Sequence, residues 1–280
     1  MKDSYELIDS GNQKKFERFG PYTLIRPCSQ ALWRPKLNEQ AWSSADGVFT
    51  RKQGNRWDFK KKVPSTWTLE LQGIKFKLCL TDFGHIGIFP EHAMLWQWAA
   101  EKIKSRKEQV EILNLFAYSG AATLALAKAG AKVCHLDASK AAVEWARENA
   151  RANEMQSHPI RWIVEDVIKF LKREHKRGKK YQGILLDPPS FGRGNKAEVF
   201  VIEQDLPELL KLCVSLLADD ALFFILSTHT PGMTPLVLQH LLEEVLHQRG
   251  GVMESGELVI FSKEGRDLPS GGYARWSPKN

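Results

Sequence analysis

Between residues 110 and 228 the chain alternates short apolar runs with longer amphipathic stretches. The runs "VEILNLF" (110–116), "AKVCHLD" (131–137), "IRWIVED" (160–166), "YQGILLD" (181–187) and "ALFFILS" (221–227) read as strands, and near-continuous apolar character suits strands covered on both faces. Between them lie "AATLALAKA" (121–129), stopped by Gly130, and "SKAAVEWARENARAN" (139–153). A third helix runs through Phe170 into a basic run, and a fourth spans "VIEQDLPELLKLCVSLL". After a last helix at 235–248, "ELVIFSK" and "GYARWS" close the sheet as a hairpin-like pair. Strand–helix alternation of this kind predicts an α/β domain with a mostly parallel sheet, here closed by an antiparallel strand. The residues before about 85 have another texture. "WTLELQGIKFKLCL" (67–80) alternates around a turn at Gln72-Gly73, and four of the nine tryptophans (Trp33, Trp42, Trp57, Trp67) fall here. The expected organisation is a small β-rich N-terminal domain over 1–85 and an α/β domain over 86–280, with Pro90 opening a helix to about 104.

Composition narrows the class. With 43% hydrophobic and 26% charged residues in 280, the chain supports a substantial core. The longest apolar candidate, "ALFFIL", follows Asp219 and Asp220 and is far too short for a membrane span. The N-terminal stretch carries no apolar signal core, so the expected location is the cytoplasm. Cys28, Cys79, Cys134 and Cys213 lie far apart and form no metal-type pair, which predicts reduced thiols and no metal. Net charge is +7, and the excess clusters. "RKQGNRWDFKKK" (51–62) and "KREHKRGKK" (172–180) each hold six Lys/Arg and one acid. Such runs serve either as solvated surface or as contacts to a polyanion; Trp57 and Phe59 within the first favour the polyanion.

Candidate chemistry collects at the strand ends, where open α/β sheets bind ligands. "NLFAYSG" (114–120) follows the first strand, and Asp137 ends the second, 17 residues beyond Gly120. A carboxylate at that distance suits a ribose diol. "EDV" (165–167) follows the third strand and "DPPSF" (187–191) the fourth. Taken singly, Gly120 also fits an ordinary turn, and Asp137 and Asp166 also fit helix caps; their succession at consecutive strand ends favours a nucleoside site. The first turn has one glycine instead of G-x-G-x-x-G, and no G-x-x-x-x-G-K-[ST] occurs, so phosphates are poorly provided for. A ligand with ribose and adenine but no phosphate fits, and S-adenosylmethionine is one.

"NLFAYSG", "HLDASKAAVEWARENARAN" and "LLDPPSFGRG" together resemble the class I S-adenosylmethionine-dependent methyltransferases, within the branch of bacterial 23S ribosomal RNA large-subunit methyltransferases that carry a DPPxF motif. The resemblance covers about residues 85–280 and implies a Rossmann-like fold that binds S-adenosylmethionine. By that likeness, Phe89 and Pro90 of "GIFPEH" line the cofactor pocket together with Asn114, Phe116, Ala117, Tyr118, Ser119, Gly120, Asp137, Ala138, Ser139, Asp166, Val167 and Asp187. The catalytic loop is Asp187, Pro188, Pro189 and Phe191. The expected acceptor is a base of RNA, ribosomal RNA foremost; DNA, a protein amide, or RNA binding without turnover are the alternatives. Two prolines stiffen the loop and turn carbonyl oxygens toward a base amine, while Phe191 is suited to stacking on a base taken out of its helix. Cytosine C5 relatives carry a nucleophilic cysteine after the fifth strand. Here that place reads "LSTHT" (226–230), so nitrogen is the expected methyl acceptor.

Overall fold

A computed structural model describes residues 4–51, 54–193 and 199–279. Lys52 of the first basic cluster and Gly194 of the catalytic loop lie outside the described residues. The chain divides into two compact units, residues up to Glu91 with Val259–Ser270, and His92–Leu258 with Gly271–Asn280.

The first unit is built on β1 (Tyr5–Gly11), β2 (Lys14–Phe19), β3 (Tyr22–Pro27), α1 (Glu39–Ser43), β4 (Gly47–Thr50) and β5 (Arg56–Phe59). The strands form one sheet in chain order, antiparallel except for the β3–β4 pair. The hairpin of β6 (Thr66–Leu71) and β7 (Ile74–Cys79) follows. Its turn lies at Gln72-Gly73 as read from the sequence, both residues with positive φ (54° and 69°), the backbone that a two-residue hairpin demands. Apolar alternation is weak in β1–β3 because charges are buried there as pairs. Glu17 accepts from Arg26 Nε at 2.8 Å and Nη2 at 2.9 Å and from Tyr5 Oη at 3.0 Å. Asp9, fully buried, accepts from the Leu37 amide and the Trp42 indole.

The second unit opens with α2 (Ala93–Lys104), preceded by a 3-10 turn at Pro90–His92, so Pro90 begins this helical segment as expected. Strands and helices then alternate: β8 (Glu111–Leu115), α3 (Ala121–Lys128), β9 (Lys132–Asp137), α4 (Lys140–Ala152), β10 (Ile160–Val164), α5 (Val167–Lys176) and β11 (Gly183–Leu186). A small ribbon of β12 (Phe191–Arg193) and β13 (Val199–Val201) precedes α6 (Ile202–Ser215), β14 (Phe223–Thr228), α7 (Pro235–Leu246), β15 (Val252–Ile260) and β16 (Leu268–Ser277). The sheet order is β10-β9-β8-β11-β14-β16-β15. The first five are parallel, and β16 closes against β14 antiparallel. The order reverses between β8 and β11, which places the ends of β8, β9 and β11 around one crevice. Ile184, Leu186, Phe224 and Leu226 from the central strands pack with Leu209, Leu210 and Leu242 of α6 and α7 in the main core.

Candidate active site

The loop after β8 carries three left-handed residues, Phe116 (φ 55°), Tyr118 (47°) and Gly120 (85°). Non-glycine residues hold that conformation only where the surroundings enforce it, at a cost of roughly 1–3 kcal/mol each. The enforcing contacts are specific. The Tyr118 amide donates to Asp137 Oδ2 at 2.9 Å, and the Ala117 amide to the Leu136 carbonyl at 3.0 Å. Buried Asn149 of α4 donates to the Ser119 carbonyl at 2.8 Å. At Gly120 a Cβ would come within 2.8 Å of Ala146 Cβ, so α4 approaches the loop as closely as glycine permits. Beneath the loop, Asn114 Nδ2 donates to Thr123 Oγ1, which meets His135 Nδ1, both at 2.9 Å. Burial pushes the His135 imidazole down to about 3, so it stays neutral.

Asp137 closes β9 and faces this loop. Besides Tyr118 it accepts from the Ser139 amide at 2.8 Å through Oδ1. Burial raises its carboxyl above the usual value against the pull of these two amides. Each oxygen keeps a lone pair, so the carboxylate that orders the loop remains able to accept further hydrogen bonds. Ala138 lies between, and Ser139 caps α4 through the Ala142 amide. A nucleoside without phosphates fits this donor set.

The other residues expected at the cofactor fall as follows. Asp166 caps α5 by accepting from the Lys169 amide at 3.0 Å, and the Val167 side chain is buried in the core. The Asn114 amide lies beneath the loop. Phe89 and Pro90 belong to the first unit, where the Phe89 ring meets His85 edge-on at 5.5 Å.

After β11 comes the loop of Asp187, Pro188, Pro189, Ser190 and Phe191, laced to the end of β14. Ser227 Oγ donates to Asp187 Oδ1 at 2.9 Å. Thr228 Oγ1 reaches the Pro188 carbonyl at 3.3 Å, and Ser190 Oγ meets Thr230 Oγ1 at 2.8 Å. Two imidazoles flank Asp187. His92 Nε2 lies 3.6 Å from Oδ1 and His229 Nδ1 lies 3.9 Å from Oδ2, with ring centroids 5.1 Å apart. The nearest donor atoms of these three residues lie within 4.8 Å of one another. Phe191 is 53% exposed. Sequence reading did not find Ser227 or His92. Both converge on Asp187 from distant segments, and the one signal in the chain is the polar run "STHT" where an apolar strand ends.

Neither thiol of the α/β unit is poised as a nucleophile. Cys134 and Cys213 are buried in β9 and α6, and burial lifts the Cys134 thiol to about 11 and that of Cys213 higher still. Much of the second basic cluster is engaged within its own unit. Arg173 pairs with Glu165, Arg177 with Glu174, and Lys179 with Glu111. In the first cluster Arg56 pairs with Asp58 and Lys61 with Asp46, while Trp57 and Phe59 stack nearly parallel at 5.8 Å.

Comparison with known proteins agrees with this geometry. The chain is 41% identical to the S-adenosylmethionine-dependent methyltransferase of Agrobacterium tumefaciens, whose crystal structure superposes with a TM-score of 0.95 over 99% of this chain and 91% of that one. SMU.776, a methyltransferase solved with S-adenosylhomocysteine, shares the fold at 19% identity and a TM-score of 0.72, over 99% of this chain and 76% of that one. Curated relatives include the ribosomal RNA large subunit methyltransferases K/L of Shewanella sp. (strain ANA-3), 32% identical over 52% of this chain, and of Hahella chejuensis, 35% over 54%. The chain spans about 20% of the length of those relatives. The sequence model of S-adenosylmethionine-dependent methyltransferases matches residues 50–250, well over half of the chain, and with the loop geometry and the superposition this establishes that the chain belongs to that family.

Proposed function

We propose that this enzyme methylates a nitrogen of a base in RNA, with ribosomal RNA the first candidate, and that it works in the cytoplasm. The observation that carries the reading is the loop Asp187–Phe191, where an exposed aromatic ring follows a carboxylate and two prolines that are tied to β14. An exposed ring on an ordered loop is a platform for a base taken out of its stack, and stacking of this kind is worth about 1–3 kcal/mol per base. The ribosomal RNA names of the curated relatives support the same acceptor. Buried, high-pKa thiols and the absence of cysteine from "LSTHT" favour nitrogen over the covalent route to cytosine C5.

Bound S-adenosylmethionine supplies an activated methyl group, and this chain supplies position. Within the cofactor site, Asp137 holds the ribose, and the Phe116–Gly120 backbone shapes the pocket with Ala138 and Ser139; Phe89, Pro90, Asn114, Asp166, Val167 and Asp187 complete our assignment. The Pro188 and Pro189 carbonyls and Asp187 orient the acceptor in line, an arrangement that accounts for a large part of the rate in a reaction needing little covalent help. We assign the β-rich N-terminal unit to substrate binding, through the Trp57–Phe59 stack and the lysines beside it.

Mass spectrometry of ribosomal RNA nucleosides from a deletion strain tests this reading. One methylated nucleoside should vanish and return on complementation. An unchanged nucleoside profile refutes the RNA assignment. S-adenosylhomocysteine should raise the melting temperature of the purified protein and NAD should not.

A further inference from the structure

In the His92–Asp187–His229 cluster, Asp187 belongs to the loop that presents the acceptor, and the two imidazoles reach it from the start of α2 and the end of β14. We infer that His229 is the base that takes a proton from the methyl acceptor, that Asp187 orients and balances it, and hence that the acceptor nitrogen carries a hydrogen. The inference deepens the RNA reading above and rests on it.

Three observations converge. His229 turns Nδ1 toward Asp187 Oδ2 at 3.9 Å, which leaves Nε2 as the ring nitrogen on the far side from the carboxylate. Asp187 is held in place by Ser227 Oγ at 2.9 Å, a fixed support for a ring that must keep one tautomer. His229 also sits immediately after β14, where "STHT" stands in place of a nucleophilic cysteine. A separation of 3.9 Å is longer than a hydrogen bond, as is common in ligand-free sites whose catalytic contacts tighten when substrate binds. Among the described residues, the titratable groups that face His229 include Asp187 from the β11 end and His92 from the start of α2; from β16 a neighbour is Gly271, which carries no charge. His92 flanks the other carboxylate oxygen at 3.6 Å and serves as a positioning residue for Asp187.

The step balances without another reactant. The acceptor nitrogen's lone pair forms the N–C bond as the C–S bond breaks, and that bond's electrons go to sulfur, which becomes a neutral thioether. The positive charge now on nitrogen is discharged when its proton passes to His229 Nε2, and the imidazolium rests against the Asp187 carboxylate. A hydrogen-free ring nitrogen such as N7 of a purine has no proton to give and would make the base superfluous. An exocyclic amine or a ring N–H uses it. The same three side chains are close enough to hold a cation, and metal binding is the alternative that the test below separates from the proton-acceptor role.

The test has three parts. Nucleoside mass spectrometry of ribosomal RNA from the deletion strain should show loss of a product methylated at an amine or ring N–H; loss of a 7-methylpurine overturns the inference while leaving the RNA reading intact. With ribosomal RNA from that strain as substrate, His229→Gln should lower turnover about a hundredfold or more with S-adenosylhomocysteine affinity unchanged. It should also remove the acid limb of the pH profile, and imidazole should partly restore His229→Ala. Full turnover in His229→Gln overturns the inference. If label enters protein and no RNA, the RNA reading fails, and the base assignment stands or falls on loss and rescue in the His229 variants. Finally, metal analysis of the purified protein and titration with Zn²⁺ should show no stoichiometric binding. One equivalent bound in the wild type and lost in His92→Ala assigns the cluster to a cation and overturns the proton-acceptor role.

Discussion

Replacing Asp137 by alanine separates its two roles by magnitude. In the folded chain the carboxylate already accepts from the Tyr118 and Ser139 amides at 2.9 and 2.8 Å. Its remaining lone pairs face the proposed ribose position, and hydrogen bonds to a charged group are worth about 1.5–3 kcal/mol. At 1.4 kcal/mol per factor of ten, Asp137→Ala should weaken S-adenosylhomocysteine binding by about 10- to 150-fold. The substitution also strips an acceptor from two amides, at about 1–3 kcal/mol of stability if they stay dry, so melting temperature must be measured beside affinity. Calorimetric titration across pH supplies a second signature. Burial raises the Asp137 carboxyl, while ribose hydroxyls bind best to its ionised form. Affinity should therefore fall as pH drops through that raised value, with proton release on binding, and the dependence should vanish in Asp137→Ala. The stability sign is opposite: the folded value exceeds the unfolded one, so this group's contribution is fully present below the unfolded value and is lost as pH rises through the raised folded value. A dissociation constant within threefold of wild type, with the same pH dependence, would show that Asp137 only orders the turn.

His135 is neutral in the fold, its imidazole depressed to about 3 from an ordinary 6.5. The unfolded chain thus takes up a proton that the fold refuses, and stability should fall as pH drops from 6.5 toward 3, by about 2 kcal/mol at pH 5. Urea unfolding of His135→Gln should lack that slope. Arg26→Met removes the bidentate partner of buried Glu17 and leaves it Lys15 at 3.3 Å and Tyr5 at 3.0 Å, so the cost to the first unit should stay below the roughly 3–5 kcal/mol of a fully unpaired buried charge, and Arg26→Met with Glu17→Leu should recover much of it; chemical denaturation followed by tryptophan fluorescence reads both. Charge reversal at Lys60 and Lys62 should weaken binding of all RNA sequences alike and flatten its salt dependence. Phe191→Ala should leave bulk RNA binding near wild type and reduce turnover. Filter binding at several salt concentrations beside a tritiated-methyl assay separates the two, and a fully active Phe191→Ala enzyme would refute the stacking role.

The α/β unit was legible because its determinants are local. Apolar runs such as Ile184–Leu186 and glycines or prolines at strand ends specify elements through periodicity and backbone sterics, and chain order then places Gly120, Asp137 and Asp187 at strand ends. Gln72-Gly73 was readable for the same reason. The first sheet was read only as β-rich, because Glu17 and Arg26 are buried as a pair between β2 and β3, and a pair made across strands cannot be seen along one of them. The basic run at 172–180 looked like a phosphate track, yet Arg173, Arg177 and Lys179 meet Glu165, Glu174 and Glu111, two of which lie outside that run. The arrangement around Asp187 is non-local in the same way. Ser227, His229 and His92 reach it from β14 and from the start of α2, nearly a hundred residues away in the case of His92. Sequence periodicity specifies which residues end a strand. Which side chains meet there depends on the order in which strands join the sheet, and that order is set by tertiary packing.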